Sequence, residues 1–84
     1  PDLTSLTLEL ARVLEGAGEG ERAREALSAL AARLPDDATV LAQLGKLLHR
    51  QGQRDEALAR LRAATALRPQ DPDLRRYTER VGLG

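Results

Sequence analysis

The 84-residue sequence contains no cysteine, methionine, tryptophan or phenylalanine, and Tyr77 is its one aromatic residue of the Phe, Trp and Tyr class. Without cysteine the chain can form neither a disulfide framework nor a thiolate metal site. A single histidine, His49, leaves few other ways to ligate a metal, so we expect no metal and no cofactor. A chain with one aromatic side chain also lacks the stacking platforms that bind single-stranded nucleic acid.

An excess of charge of one sign is absent as well, because 13 Lys and Arg residues balance 13 Asp and Glu residues. This balance gives no overall attraction to nucleic acid or to an anionic membrane. No apolar run approaches the roughly 20 residues of a membrane span, and no signal-peptide pattern opens the sequence. We therefore expect a soluble, cytoplasmic domain whose partner is neither a nucleic acid nor a membrane.

The residues that are abundant, namely Leu, Ala, Arg and Glu, are strong helix formers, and they predict an all-α fold. Glycine, proline and aspartate divide the chain into five helices. The predicted helices cover about residues 3–15, 21–34, 38–50, 55–67 and 72–81. Candidate N-caps are Asp2 or Thr4, the pair Asp36-Asp37, and Asp71 before Pro72, while Gly82 is expected to end the last helix. The connections are short, so neighbouring helices should lie antiparallel.

The apolar residues of the predicted helices follow the spacing of amphipathic helices. In the first helix this set is Leu3, Leu6, Leu10, Val13 and Leu14. A helix with such a stripe normally turns it toward a core or a partner.

The sequence repeats itself after a shift of 34 residues. Identical pairs include Leu10 and Leu44, Leu14 and Leu48, Gly18 and Gly52, Ala23 and Ala57, Leu27 and Leu61, Ala29 and Ala63, Ala32 and Ala66, Pro35 and Pro69, and Asp37 and Asp71. A helix–turn–helix unit with this period is characteristic of the tetratricopeptide repeat.

The second unit, residues 38–71, resembles the tetratricopeptide repeat family throughout its length. Its signature positions hold Leu41, Leu44, Gly45, Leu48, Gly52, Ala57, Leu61, Ala64 and Pro69. The first unit, residues 4–37, departs from the family pattern at Thr7 and Leu30. The resemblance implies a single domain over residues 1–84, built as a short right-handed α-solenoid of antiparallel helix–turn–helix repeats.

The third unit, residues 72–82, is a lone helix that departs further from the family pattern. Arg75, Thr78 and Glu79 stand where the pattern has apolar or small residues. We expect this helix to be a polar cap that closes the array.

The small residues of the second unit have predicted structural roles. Gly45 and Ala57 should lie where two helices approach closely, because a larger side chain would keep the backbones apart. Gly52 should adopt the left-handed conformation that ends a helix.

No residue pattern indicates catalysis. The sequence contains no G-x-S-x-G element, and the glycine-rich segment 16–20 lacks the Gly-Lys-Ser/Thr ending of a phosphate loop. Carboxylates at the starts of helices are favoured there by the helix dipole and do not indicate a metal cluster. We expect this chain not to be an enzyme.

The resemblance implies instead that the first helix of each unit lines a concave groove that binds a peptide or a partner helix. Transferred by position, the predicted groove residues are Arg12, Gln43, Lys46, His49, Arg50, Arg76, Tyr77 and Arg80. This set is basic, so an acidic peptide or a C-terminal carboxylate is the expected ligand. The dicarboxylate clamp of some family members is not present, because its positions carry Leu8, Arg12, Gln43, Asp73 and Tyr77.

A structural role is the alternative to ligand binding. Repeat arrays usually contain three or more units, so this segment could belong to a larger protein or assembly as a scaffold, stacking on further repeats or on itself. The candidate contacts for such stacking are Leu3, Leu6 and Leu8 near one end and Leu83 at the other.

Overall fold

The computed structural model describes residues 2–84, which form helices and turns and no strand. The five helices are α1 (Leu3–Gly16), α2 (Gly20–Arg33), α3 (Ala38–Arg50), α4 (Arg54–Leu67) and α5 (Pro72–Leu83). The all-α prediction is confirmed, and four of the five helices begin and end within a residue of the expected positions. Helix α5 is the exception, because it continues through Gly82 to Leu83 instead of ending before Gly82.

Three helices begin at an aspartate that caps them. The carboxylates of Asp2, Asp37 and Asp71 accept hydrogen bonds from the backbone N–H groups three residues later, at 2.7, 3.1 and 3.0 Å. Each bond satisfies one of the donors that the first turn of a helix leaves without a partner. Of the predicted alternatives, the caps are therefore Asp2 rather than Thr4, and Asp37 rather than Asp36.

The helices pack in sequence order, each against its neighbours along the chain. Helix α1 packs on α2, α3 packs on both α2 and α4, and α5 packs on α4. Helix α3 is the centre of the molecule, since it carries most of the fully buried large side chains. These are Val40, Leu44, Leu47 and Leu48 of α3, together with Leu61 of α4.

The close contact predicted between α3 and α4 is present. A β-carbon placed on Gly45 would lie 2.7 Å from Cγ of Leu61 and 3.3 Å from the backbone oxygen of Ala57. Ala57 is itself fully buried. The turn after α3 contains Gly52 with a φ of 78°, the left-handed conformation expected for a residue that ends a helix.

Four of the five residues in the apolar stripe of α1 do not face the core. Leu3, Leu6, Leu10 and Val13 are each more than half exposed, whereas Leu14 is partly buried and packs against the core, and Ala11 is the buried residue of this helix. The corresponding side chains of the second unit, such as Leu44 and Leu47, are buried, because α3 lies between α2 and α4 while α1 has a neighbour on one side only.

Helix α5 lies at the other end of the helix order from α1. Its side chains Arg75 and Glu79 are exposed. Thr78 differs, since it is buried against α4, where its hydroxyl donates to the backbone oxygen of Leu74 at 2.9 Å and lies 3.1 Å from the hydroxyl of Thr65. These hydrogen bonds allow a threonine to occupy an otherwise apolar position.

No helix within residues 2–84 has both the length and the hydropathy that crossing a membrane requires.

Candidate partner-binding groove

Two neighbouring cavities open on the surface formed by α1, α3 and α5, and together they are called the groove below. The first, of about 550 Å³, lies between α1 and α3. The second, of about 420 Å³, lies between α3 and α5. Gln43 lines both cavities, so the two are adjacent.

The α1–α3 cavity has an apolar floor and a charged rim. Leu8, Ala11, Leu27 and Leu47 supply apolar surface, and the charged lining residues are Glu9, Arg12, Glu15 and Arg50. Such a site accommodates an apolar side chain of a ligand, while the adjacent residues of the ligand remain at the charged rim.

Arg50 is held in place by Glu15 across this cavity. Its Nε and one terminal nitrogen donate to the two carboxylate oxygens of Glu15, both at 2.7 Å. The hydrogen bonds from Arg50 lower the pKa of the Glu15 carboxyl, and the same pairing raises the pKa of Arg50. Because Glu15 occupies Nε and one terminal nitrogen of Arg50, this side chain is less available to a ligand than the sequence suggested.

Arg12 is similarly engaged at the outer edge of the cavity. It is exposed and forms a salt bridge with Glu9 of the same helix. An exposed pair of this kind contributes little energy, and its negative partner offsets the charge that Arg12 brings to the groove.

The α3–α5 cavity is organised around Tyr77. The Tyr77 hydroxyl lies 3.1 Å from Nδ1 of His49, and the two rings meet edge to face with centroids 5.7 Å apart. Nζ of Lys46 lies 5.3 Å from the centre of the Tyr77 ring, and Cζ of Arg80 lies 5.6 Å from it. Both distances are within the range of a cation–π interaction. The ring therefore holds two cations near one point of the groove.

The charges of the α3–α5 cavity are unequal. Four cationic side chains line it, Lys46, Arg68, Arg76 and Arg80, against the carboxylates of Asp71 and Asp73. Asp71 is occupied as the cap of α5, and Asp73 pairs with Arg76 at 2.6 Å.

Three cations of the groove, Lys46, Arg68 and Arg80, form no salt bridge within residues 2–84. Arg68 donates to the Thr39 hydroxyl, whereas Lys46 and Arg80 lie against the Tyr77 ring. Their positive charge is consequently not neutralised by a carboxylate of the protein.

The eight residues predicted for the groove lie on α1, α3 and α5, and the structure divides them between its two parts. Arg12 and Arg50 line the first cavity, Lys46, Arg76, Tyr77 and Arg80 line the second, Gln43 lines both, and His49 contacts Tyr77.

Arg68 and Glu15 take part in the groove, although neither was predicted for it. Arg68, which follows α4, enters the second cavity and donates to the Thr39 hydroxyl at 2.9 Å. Glu15, at the end of α1, fixes Arg50. The repeat carries a signal for Glu15, since a shift of 34 residues places it on His49. It carries none for Arg68, which reaches the groove through a long side chain after the end of α4.

A metal site is not formed by the described part of the chain, where no three His, Asp or Glu side chains converge. The groove therefore offers cations, one aromatic ring and apolar surface to a ligand.

A comparison with protein families identifies the fold. The model of the family described as Tetratricopeptide repeat matches residues 14–78, from the later part of α1 to the middle of α5. The chain belongs to the tetratricopeptide repeat family. The helical repeat architecture is that of the family, and tetratricopeptide repeats are non-enzymatic modules that generally mediate protein–protein interaction. No curated protein matches this tetratricopeptide repeat chain.

Proposed function

We propose that the groove binds an acidic segment of a partner protein. The observation that carries this proposal is the position of Lys46 and Arg80, two cations that have no carboxylate partner and lie 5.3 and 5.6 Å from the centre of the Tyr77 ring. A carboxylate within reach of both would receive charge-assisted hydrogen bonds, which are stronger than those between neutral groups. An acidic side chain or a C-terminal carboxylate supplies the required group.

The two cavities support a ligand with two features. The apolar floor between α1 and α3 suits a leucine-sized side chain, and the cationic cavity between α3 and α5 suits the carboxylate. Gln43 lies between them, and its amide can both donate to and accept from the backbone of an extended peptide. We therefore infer a ligand in which an apolar residue and an acidic residue are close in sequence.

The predicted groove residues contribute unequally in this proposal. Lys46 and Arg80 bind the carboxylate, Tyr77 positions them, and His49 orients the Tyr77 hydroxyl. Arg76, Arg12 and Arg50 each have a carboxylate partner already, so their part is secondary.

The remaining predictions about function are unchanged. We propose a non-catalytic, cytoplasmic module of a larger assembly whose ligand is a protein rather than a nucleic acid or a membrane. Stacking on further repeats or self-association remains the alternative role, and it concerns a different surface of the molecule.

The proposal is tested by selecting displayed random peptides of about twelve residues on the immobilised protein. We expect the captured sequences to be enriched in Asp and Glu beside an apolar residue. Lys46→Glu with Arg80→Glu should abolish their capture, because the reversed charges repel the ligand carboxylate.

The matched control is Arg22→Glu with Arg62→Glu, which changes the net charge equally on exposed positions of α2 and α4. This variant should retain the selected peptides. Capture that both double variants lose equally would reflect overall charge and contradict the proposal, as would a selection without acidic enrichment.

A further inference from the structure

An uncovered apolar face on α1 has no role in the proposed function. Leu3, Leu6, Leu10 and Val13 are 60%, 56%, 51% and 60% exposed. Among residues 2–84 the other large hydrophobic side chains with comparable exposure are Leu67 and Leu83, which are on other helices. Four of the six exposed hydrophobic side chains therefore lie on one side of one helix.

The 34-residue repeat indicates what this face would contact. Shifted by one repeat, Leu6, Leu10 and Val13 correspond to Val40, Leu44 and Leu47 of α3, which are fully buried. Those residues belong to α3, the helix that packs on α2 as well as on α4. The α1 face is thus of a kind that another helix covers.

The spacing of the four residues allows the covering helix to be a second copy of α1. Positions 3, 6, 10 and 13 alternate steps of three and four residues, as do the core positions of a coiled coil. Over the roughly 15 Å between Leu3 and Val13, two antiparallel copies place Leu3 opposite Val13 and Leu6 opposite Leu10. Such a contact is self-complementary and closes by two-fold symmetry.

The distribution of charge favours this arrangement over other contacts between copies. The charged residues of α1 lie on its other sides, where Glu9, Arg12 and Glu15 line the first cavity. A head-to-tail contact is disfavoured, because the outer side of α5 exposes Arg75 and Glu79. The α1 faces of two copies, by contrast, meet without burying a charge.

We infer that the protein forms a two-fold symmetric dimer through the exposed faces of α1. Leu8 and Arg12 lie on nearly the opposite side of the helix, so the groove stays open in the dimer. Leu8, expected to be a stacking contact, is half-buried and lines the groove instead. Four half-exposed side chains supply less than the about 800 Å² per partner of a standard interface, so the dimer is a concentration-dependent one.

Sedimentation equilibrium of the full chain between about 5 µM and about 500 µM tests the inference. We expect a reversible shift from monomer to dimer, and Leu6→Glu with Leu10→Glu should weaken the association at least tenfold. The control, Leu67→Glu with Leu83→Glu, places the same charges on the other exposed leucines and should leave the dissociation constant unchanged. Circular dichroism checks that each variant remains helical.

The orientation has its own test, because the chain has no cysteine of its own. On oxidation of an equal mixture of Leu6→Cys and Leu10→Cys chains, the antiparallel contact predicts that the mixed disulfide exceeds its statistical share. Predominance of the two symmetric disulfides would overturn the antiparallel arrangement.

The remaining outcomes are also decisive. A chain that stays monomeric throughout the range, or a dimer insensitive to the α1 glutamates, would overturn the inference. If the chain stayed monomeric, a helix of another protein would be left as the candidate to cover the α1 face. Since the α1 variant leaves Lys46 and Arg80 intact, its peptide capture separates failure of the dimer from failure of the groove proposal.

Discussion

Gly45 shows how one hydrogen atom in place of a side chain determines the distance between two helices. In an open helix, replacing glycine by alanine stabilises the protein by about 0.5–1 kcal/mol. At Gly45 the added methyl group would lie 2.7 Å from Cγ of Leu61, a fully buried side chain that would have to shift. The local preference and the packing requirement therefore oppose each other at this position.

For Gly45→Ala we expect packing to prevail, with a net loss of about 1 kcal/mol in the free energy of unfolding. Urea denaturation measures it. Gly16→Ala is the matched control, because no atom lies within 4 Å of a β-carbon added there, and it should be neutral or stabilising. Equal effects of the two substitutions would show that α3 and α4 are not in close contact at Gly45.

The small residues were predictable from sequence because they are constrained at fixed positions of the repeat. Gly45, Ala57 and Gly52 all have the expected role. The contacts of the long side chains were not predictable. The partner of Arg50, for example, depends on a rotamer that reaches Glu15 of another helix. Which cations of the groove are free could accordingly be known only from the structure.

At the scale of the helices, side chains near helix ends join neighbouring units. Glu15 and Arg50 join α1 to α3 with paired hydrogen bonds, although Arg50 remains about half exposed. Their contribution is therefore that of a partly screened pair, roughly 0.5–1 kcal/mol.

The lowered pKa of Glu15 makes this contribution dependent on pH. It is fully present above the pKa of an unfolded glutamate, about 4.3, and is lost as the pH falls through the lower pKa of the folded state. Glu15→Gln should thus reduce stability at pH 7 and match the wild-type protein in strong acid. Thermal unfolding across this range measures the difference, and a constant difference at every pH would contradict the assigned role of the carboxylate.

A second such link joins α4 to α5. The guanidinium of Arg54 donates to the backbone oxygens of Val81, at 3.0 Å, and Gly82. These are carbonyl groups in the last turn of α5, which have no partner within the helix. The contact lies where α5 continues through Gly82, the residue that was expected from sequence to end this helix.

Arg54→Lys should loosen the last turn of α5, because lysine keeps the charge but lacks the fork that reaches two oxygens. Hydrogen exchange is expected to accelerate at the end of α5, while the amides of α3 keep their protection. Arg60→Lys, on the same helix as Arg54, is the control and should leave hydrogen exchange unchanged both at the end of α5 and in α3. Unchanged exchange in α5 of the Arg54 variant would mean that the contact does not hold this turn.

The stripe of α1 illustrates what helix periodicity predicts and what it does not. Spacing alone identified Leu3, Leu6, Leu10, Val13 and Leu14 as one apolar face. The first four share the exposed side of the helix, and Leu14 packs against the core. Whether a partner helix is present depends on the neighbouring units, which periodicity within one helix does not describe. The face is exposed here because α2 packs on the other side of α1.

For the molecule as a whole, the repeat order creates two unlike ends and one continuous groove. The family and the helical repeat fold followed from the 34-residue period and nine signature positions. The balanced net charge of the chain does not describe the groove, since three of the four carboxylates that line it pair with arginines while Lys46 and Arg80 have no such partner. The distribution of charge, rather than its sum, supports the proposed acidic ligand.

The most direct test of this account is a titration of the ¹⁵N-labelled protein with a synthetic peptide of alternating leucine, glutamate and glycine. We predict that the amide signals of Lys46, Tyr77 and Arg80 shift, that the affinity falls as salt is added, and that a peptide with glutamine for each glutamate binds at least tenfold more weakly. Equal binding of the two peptides, or shifts confined to α2 and α4, would contradict the account.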